Sequence, residues 1–112
     1  MDVTFEEQGS IVVARIAGSV DGLTAETLQG ALKMQVDEGR VHLVGDLSGV
    51  SYTSSAGLRA LLATLKAARQ QGGDLRLAAV QPQVLKVLDL SGFTSILKLY
   101  GDVPAAVASF ET

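Results

Sequence analysis

Apolar residues in this chain change period several times, from short β-branched runs to stretches where they return every third or fourth position. That alternation most narrows the folds open to it. Ile11-Val12-Val13-Ala14-Arg15-Ile16-Ala17 is the first run, preceded by the turn chemistry of Glu7-Gln8-Gly9-Ser10. Together they predict a hairpin with strands near residues 2–6 and 11–17. Asp21-Gly22-Leu23-Thr24 then offers two helix caps in a row, and Leu28, Ala31, Leu32 and Gln35/Val36 recur at helical spacing up to Glu38-Gly39. Val41-His42-Leu43-Val44 reads as a short buried strand ending at Gly45-Asp46-Leu47-Ser48.

Leu58, Leu61, Leu62 and Leu65 fall at i, i+3, i+4 and i+7, the clearest amphipathic helix in the chain. It is expected over 55–71, with Gly72-Gly73 closing it. A further strand is expected over 75–80. Pro82 suits the first turn of a helix carrying Val84, Leu85 and Leu88 as far as Gly92. A last strand over 95–100 leads to a closing helix with Asp102 as cap, Pro104 in the first turn, and Val103, Ala106, Val107 and Phe110 on its apolar side. The order β-β-α-β-α-β-α-β-α predicts an α/β fold: one domain over 1–112, about four helices, and a mixed sheet with right-handed parallel crossovers.

Composition removes several functions. At 47% apolar and 19% charged the chain is no disordered tail. It has no cysteine, hence no thiolate chemistry, and its single histidine, His42, excludes a metal site built on two imidazoles. The net charge of −3 and pI near 4.9 give no basic face for nucleic acid. No apolar run is long enough to span a membrane. Met1-Asp2-Val3-Thr4-Phe5-Glu6-Glu7 lacks the features of a signal peptide, so a soluble cytoplasmic protein is expected.

Chemistry concentrates in Asp46-Leu47-Ser48-Gly49-Val50-Ser51-Tyr52-Thr53-Ser54-Ser55-Ala56-Gly57-Leu58. This segment has five Ser/Thr hydroxyls and no positive charge, and it leads from a strand into the strongest helix. Turns beyond the carboxyl ends of strands are where open α/β sheets meet ligands and partners. A hydroxyl at a helix start sits beside unpaired N–H groups that tolerate a phosphate, so modification there would change the surface rather than the fold. The plain alternative is that Ser54 or Ser55 only caps the helix. Asp21 reads as a cap, a recognition residue, or both. Asp46 reads as an acceptor ordering backbone N–H groups, or as a partner contact. Arg59 and Lys66, with Gln70 nearby, are a solvated face or a rim around Ser55; His42 is a satisfied strand histidine. No glycine-rich run ends in Lys-Ser/Thr, so no phosphate-cradling loop is expected, and no catalytic carboxylate pair can be argued.

Asp46-Leu47-Ser48 followed by Tyr52-Thr53-Ser54-Ser55-Ala56-Gly57-Leu58 resembles the signature of STAS-domain anti-sigma factor antagonists. That signature reads Asp-Leu-Ser, a few residues, an aromatic, one residue, Asp or Ser, Ser, a small residue and Gly-Leu. Gly18-Ser19-Val20-Asp21 with Thr24-Ala25-Glu26-Thr27-Leu28 is similar to a second block of the family. Gly72-Gly73 and Pro82…Val84…Leu88…Leu90-Ser91-Gly92-Phe93 are similar to a third.

The resemblance implies a STAS fold and an anti-anti-sigma factor rather than an enzyme. It implies no cofactor and no metal, with an anti-sigma factor/serine protein kinase and a protein phosphatase as partners. The unmodified protein would hold the kinase and free the sigma factor; phosphorylation on Ser55 would release the kinase. Many members carry Asp where this chain has Ser54, which makes Ser54 the alternative acceptor. The implied partner-binding set is Asp21, Thr24, Asp46, Ser54, Ser55, Ala56, Gly57, Leu58 and Arg59. The competing reading is a non-switching STAS subunit of a transporter or signalling assembly.

Overall fold

The computed structural model describes residues 1–110; Glu111 and Thr112, included in the expected domain, lie outside the described residues. Strands β1 (Asp2–Gln8) and β2 (Ile11–Ala17) form an antiparallel hairpin in which Gln8 faces Ile11 across a two-residue turn. Gly9 there adopts φ +65°, which glycine reaches without strain. Helix α1 (Gly22–Asp37) leads to β3 (His42–Gly49), α2 (Ser55–Gln70) to β4 (Asp74–Ala78), and α3 (Pro82–Leu90) to β5 (Lys98–Tyr100). Helix α4 (Val103–Ser109) closes the chain, capped by Asp102, whose carboxylate accepts from Ala105 N–H at 2.8 Å.

The sheet order is β1-β2-β3-β4-β5, and β2 through β5 pair in parallel. Consecutive parallel strands joined by crossovers of one hand place α1, α2 and α3 on a single face. Side-chain alternation along the strands records this. Val12, Ala14, Ile16, Leu43, Leu47, Leu75 and Leu77 pack with Leu28 and Leu32 of α1, Leu61 and Leu65 of α2, and Val84 and Leu88 of α3. The intervening residues Ile11, Val13, Val44 and Ala78 meet Ala106 of α4 on the other face.

Two expectations need correction. β3 does not stop at Gly45-Asp46-Leu47-Ser48 but runs through it to Gly49. Locally that tetrapeptide is turn chemistry. In the fold it is a central strand: Asp46 pairs with Arg15 of β2 on one side and Ala78 of β4 on the other, and this pairing overrides propensity. The last strand is only Lys98–Tyr100, because a 3₁₀ turn over Phe93–Ser95 occupies the residues before it. That turn follows Gly92 at φ +76° and is closed by the Ser95 hydroxyl donating to Gly92 O at 2.7 Å.

Two junctions position the upper and lower ends of α2. At its C-terminus, buried Asp74 accepts from Arg69 Nε at 2.9 Å and Arg76 Nε at 3.0 Å. Arg76 in turn donates to Ser109 Oγ at 2.7 Å and lies 4.0 Å from the centre of the Phe110 ring. Gly73 leaves no room for a side chain: an added Cβ would sit 2.0 Å from the carbonyl oxygen of Val41.

At the N-terminus of α2, Val20 forms a single parallel bridge with Thr53. Its N–H donates to Tyr52 O at 3.0 Å and its carbonyl accepts from Ser54 N–H at 2.8 Å. Gly57 lies against this bridge; a Cβ there would meet Thr53 Oγ1 at 2.3 Å and Val20 Cγ1 at 2.8 Å.

Overpacking of this kind costs about 1–3 kcal/mol. Both Gly73→Ala and Gly57→Ala should lower the urea midpoint. Gly73→Ala should lower it more, because the obstructing atom is backbone and cannot rotate away; the reverse order would contradict the packing described.

Burial opposes ionisation of Asp74, but hydrogen bonds from Arg76 and Arg69 outweigh it and hold its pKa below the ordinary aspartate value. A carboxyl with a lowered folded-state pKa stabilises above its unfolded pKa of about 3.9, and loses that contribution as pH falls through the folded value. Urea midpoints measured from pH 6 to pH 2 should therefore fall below about pH 4. Asp74→Asn should lower the midpoint at pH 6 and flatten the acid slope.

Candidate functional site

The two serines that begin α2 do different things. Ser54 is the N-cap, with extended backbone at φ −86° and ψ 172°; its Oγ accepts from Gly57 N–H at 3.2 Å and its carbonyl accepts from Leu58 N–H at 3.1 Å. It is half-buried. Ser55 is the first helical residue and is exposed, and its hydroxyl makes no hydrogen bond to any described residue. Beyond it Ala56 is half-buried, while Gly57 and Leu58 are buried and belong to the packing. Arg59, one turn along from Ser55, is exposed and pairs with no carboxylate among the described residues.

The head of α1 lies alongside, tied in by the Val20 bridge. Asp21 caps it, accepting from Leu23 N–H at 3.0 Å and Thr24 N–H at 2.9 Å, while Thr24 Oγ1 accepts from Asp21 N–H at 2.9 Å. This reciprocal capping box satisfies orphan N–H groups at both positions. The backbone and side-chain hydrogen bonds from Thr24 hold the Asp21 carboxyl below the usual aspartate range. Asp21 is therefore a fixed, exposed anion as well as a cap. Two apolar side chains outside the expected partner-binding set flank the same surface: Leu23, 79% exposed, and Tyr52, 53% exposed. The aromatic position in the Tyr52-to-Leu58 block was the available signal for Tyr52; Leu23 had none beyond its place between two caps.

Asp46 sits elsewhere. It is buried in β3 and alternates with Leu47, so its side chain shares a face with Val44 and α4 rather than with α2. One carboxylate oxygen accepts from Ser48 N–H at 3.0 Å and the other pairs with Arg15 Nη1 at 3.0 Å. Arg15 also pairs with Glu6 at 2.8 Å, and this hydrogen bond lowers the Glu6 pKa. Gln81 completes the support by donating to Ser48 O at 2.7 Å. Arg15 and Gln81 escaped sequence reasoning because they lie 31 and 33 residues from their partners, and no local pattern marks them.

The structure thus brings together Asp21, Thr24 and residues 54–59, and holds Asp46 on the far side of the sheet. Lys66 and Gln70 are exposed two and three turns down α2 from Arg59. His42 packs edge-on against Phe110, with ring centres 5.5 Å apart.

The site is a surface, not a pocket. The void beneath it, lined by Val20, Leu28, Leu47, Thr53, Gly57 and Val84 among others, measures about 10 Å³ and has no room for a ligand. Among the described residues no cluster of His, Asp or Glu is placed to hold a metal, and no helix is long and apolar enough to cross a membrane.

Comparison with known proteins agrees with this layout. The sequence model of the STAS domain matches residues 2–106. BtrV of Bordetella bronchiseptica, a candidate anti-sigma factor antagonist, is 38% identical over 112 residues, covering 100% of this chain and 97% of its own. The anti-sigma F factor antagonist of Paenibacillus polymyxa is 27% identical over 116 residues, covering 99% and 96%. The crystal structure of an anti-sigma factor antagonist from Mycobacterium paratuberculosis superposes with a TM-score of 0.90 at 26% identity, covering 99% of this chain and 94% of that one. Sequence blocks, strand order and whole-chain similarity converge, and this chain belongs to the STAS domain family.

Proposed function

We propose that this protein is an anti-sigma factor antagonist, a binding domain rather than an enzyme, whose docking is switched by phosphorylation of Ser55. The relatives named as antagonists support the binding role. The observation that carries the switch is the division of labour at the head of α2: Ser54 supplies the cap, leaving the Ser55 hydroxyl exposed and uncommitted.

In the unmodified state the surface formed by Asp21, Thr24, Ser54, Ser55, Ala56 and Arg59, flanked by Leu23 and Tyr52, binds an anti-sigma factor that is also a serine kinase; Gly57 and Leu58, expected in the partner-binding set, are buried beneath it and support it by packing. The sigma factor is then free. Asp46 acts from beneath, holding Ser48 and the end of β3. In the kinase, Ser55 Oγ attacks the γ-phosphorus of ATP. The Oγ–P bond forms, the bond from phosphorus to the bridging oxygen breaks, ADP leaves, and the hydroxyl proton passes to a base of the kinase. A phosphatase later hydrolyses the ester and restores the hydroxyl. These partners act in the cytoplasm, and the reading places this chain there too.

The phosphate brings about −1.5 to −2 charges at neutral pH. It lands outside the core, at the positive end of a helix, so it alters docking while leaving the fold intact.

Incubation with the cognate kinase and ATP should add one phosphate by intact mass, mapped to Ser55, in the native chain and in Ser54→Ala. Ser55→Ala should add none. Loss of the cap in Ser54→Ala should cost about 1 kcal/mol. Ser55→Asp should bind the anti-sigma factor more weakly with a Tm within a few degrees of native. Phosphate on Ser54, or normal cycling of Ser55→Ala, would refute the reading. Recovery of a transporter ATPase in place of a kinase would favour the subunit role instead.

A further inference from the structure

Helix α2 reads SAGLRALLATLKAARQ: three cations and no acid, in a chain of net charge −3. Of the three, Arg69 is committed, donating to Asp74 and to Ile96 O at 3.0 Å. Lys66 lies eleven residues from Ser55, roughly 16 Å along the axis and out of reach of a group on it. Arg59 is four residues from Ser55, exposed, and without a carboxylate partner among the described residues.

We propose that Arg59 carries the change of state. While Ser55 is unmodified it meets an acidic group of the anti-sigma factor; when Ser55 is phosphorylated it turns back onto the phosphate and is withdrawn from the partner. The proposal rests on Ser55 being the acceptor. Residues at i and i+4 of a helix lie about 5–6 Å apart at Cβ, and the anion-before-cation order is the favourable one. Long helical side chains lean toward the N-terminus, so Arg59 covers the turn that begins with Ser55. The guanidinium fork matches phosphate oxygens two at a time, which a point-charge ammonium does not.

The molecule already forms one exposed i,i+4 pair in the less favourable order, Lys33 to Asp37 at 2.6 Å. Asp21, the fixed anion at the head of α1, makes no ion pair with Arg59; its carboxylate is held by the α1 cap. Phosphorylation then acts twice on binding, adding a repelling charge and removing an attracting one.

Phosphoserine can be installed at position 55 during translation, which separates this test from the question of which serine the kinase selects. In unmodified protein Arg59→Gln should weaken binding to the anti-sigma factor about tenfold, the loss expected for a charged hydrogen bond. In the phosphoserine protein the same substitution should change affinity less than about twofold, since Arg59 is already occupied. An equal loss in both backgrounds would overturn the proposal.

A second readout needs no partner. The Nε–Hε resonance of Arg59 should shift on phosphorylation and exchange with water several times more slowly, and both effects should shrink at about 1 M salt. An unmoved resonance overturns the proposal, and where phosphorylation takes binding below detection the resonance alone decides. If the kinase leaves Ser55 untouched, the preceding reading of function fails while the installed phosphate still reports on Arg59.

Discussion

The bridge between Val20 and Thr53 is the contact on which the working surface depends. It is a single rung of parallel pairing outside the main sheet, yet it fastens the loop after β2 to the loop after β3. Those loops deliver the caps of α1 and α2, so this pair of backbone hydrogen bonds, with Gly18 N–H donating to Gly49 O at 2.8 Å just before it, sets the spacing of two helix heads. Gly57 makes the arrangement possible by having no side chain where Val20 and Thr53 must pass. The Ser-Ser-Ala-Gly-Leu block thus divides by physical task. Ser54 satisfies an N–H, Gly57 gives clearance, Leu58 anchors in the core, and only Ser55 points outward with nothing to hold.

What could be read from sequence divides along the same line between local and distant causes. Asp21 and Asp102 were legible as caps because capping is decided within three or four residues, and a serine cap for α2 was one of the readings there. The Leu58–Leu61–Leu65 stripe was legible because a helix imposes its own period. The second half of β3 was not, since Gly45-Asp46-Leu47-Ser48 becomes strand only through partners in β2 and β4. The Arg15–Asp46 pair and the Gln81–Ser48 contact were invisible for the same reason. At the site, the hydroxyl-rich segment identified the place. Which serine caps and which stands free required the coordinates of the first turn, because either residue is chemically able to do either job.

Asp46 shows how a residue can matter to a surface it never reaches. Its carboxylate is shared between Arg15 and the backbone of Ser48, on the α4 side of the sheet. Charges in so buried a setting persist only when paired and hydrogen-bonded. The pairing therefore locks the end of β3 in one geometry, and the loop carrying Tyr52 and Thr53 departs from that fixed end. Gln81 does the same from the β4 side. The proposed docking surface is thus mounted on rigid elements, as a precise binding site requires.

On the proposed reading, stability and signalling would occupy opposite sides of one helix. Leu58, Leu61 and Leu65 turn α2 into the sheet, while Ser55 and Arg59 are exposed on it. A modification on the outer side can change what a partner meets without drawing on the few kcal/mol that keep a domain of this size folded. A phosphate alone acts by repulsion, which salt screens at an exposed site. Removing a cation that the partner needs adds a loss of direct contact, and short contacts within an interface are screened far less. A switch that both repels and withdraws would discriminate its two states more sharply than either effect alone, and the spacing of Ser55 and Arg59 on α2 provides the geometry for it.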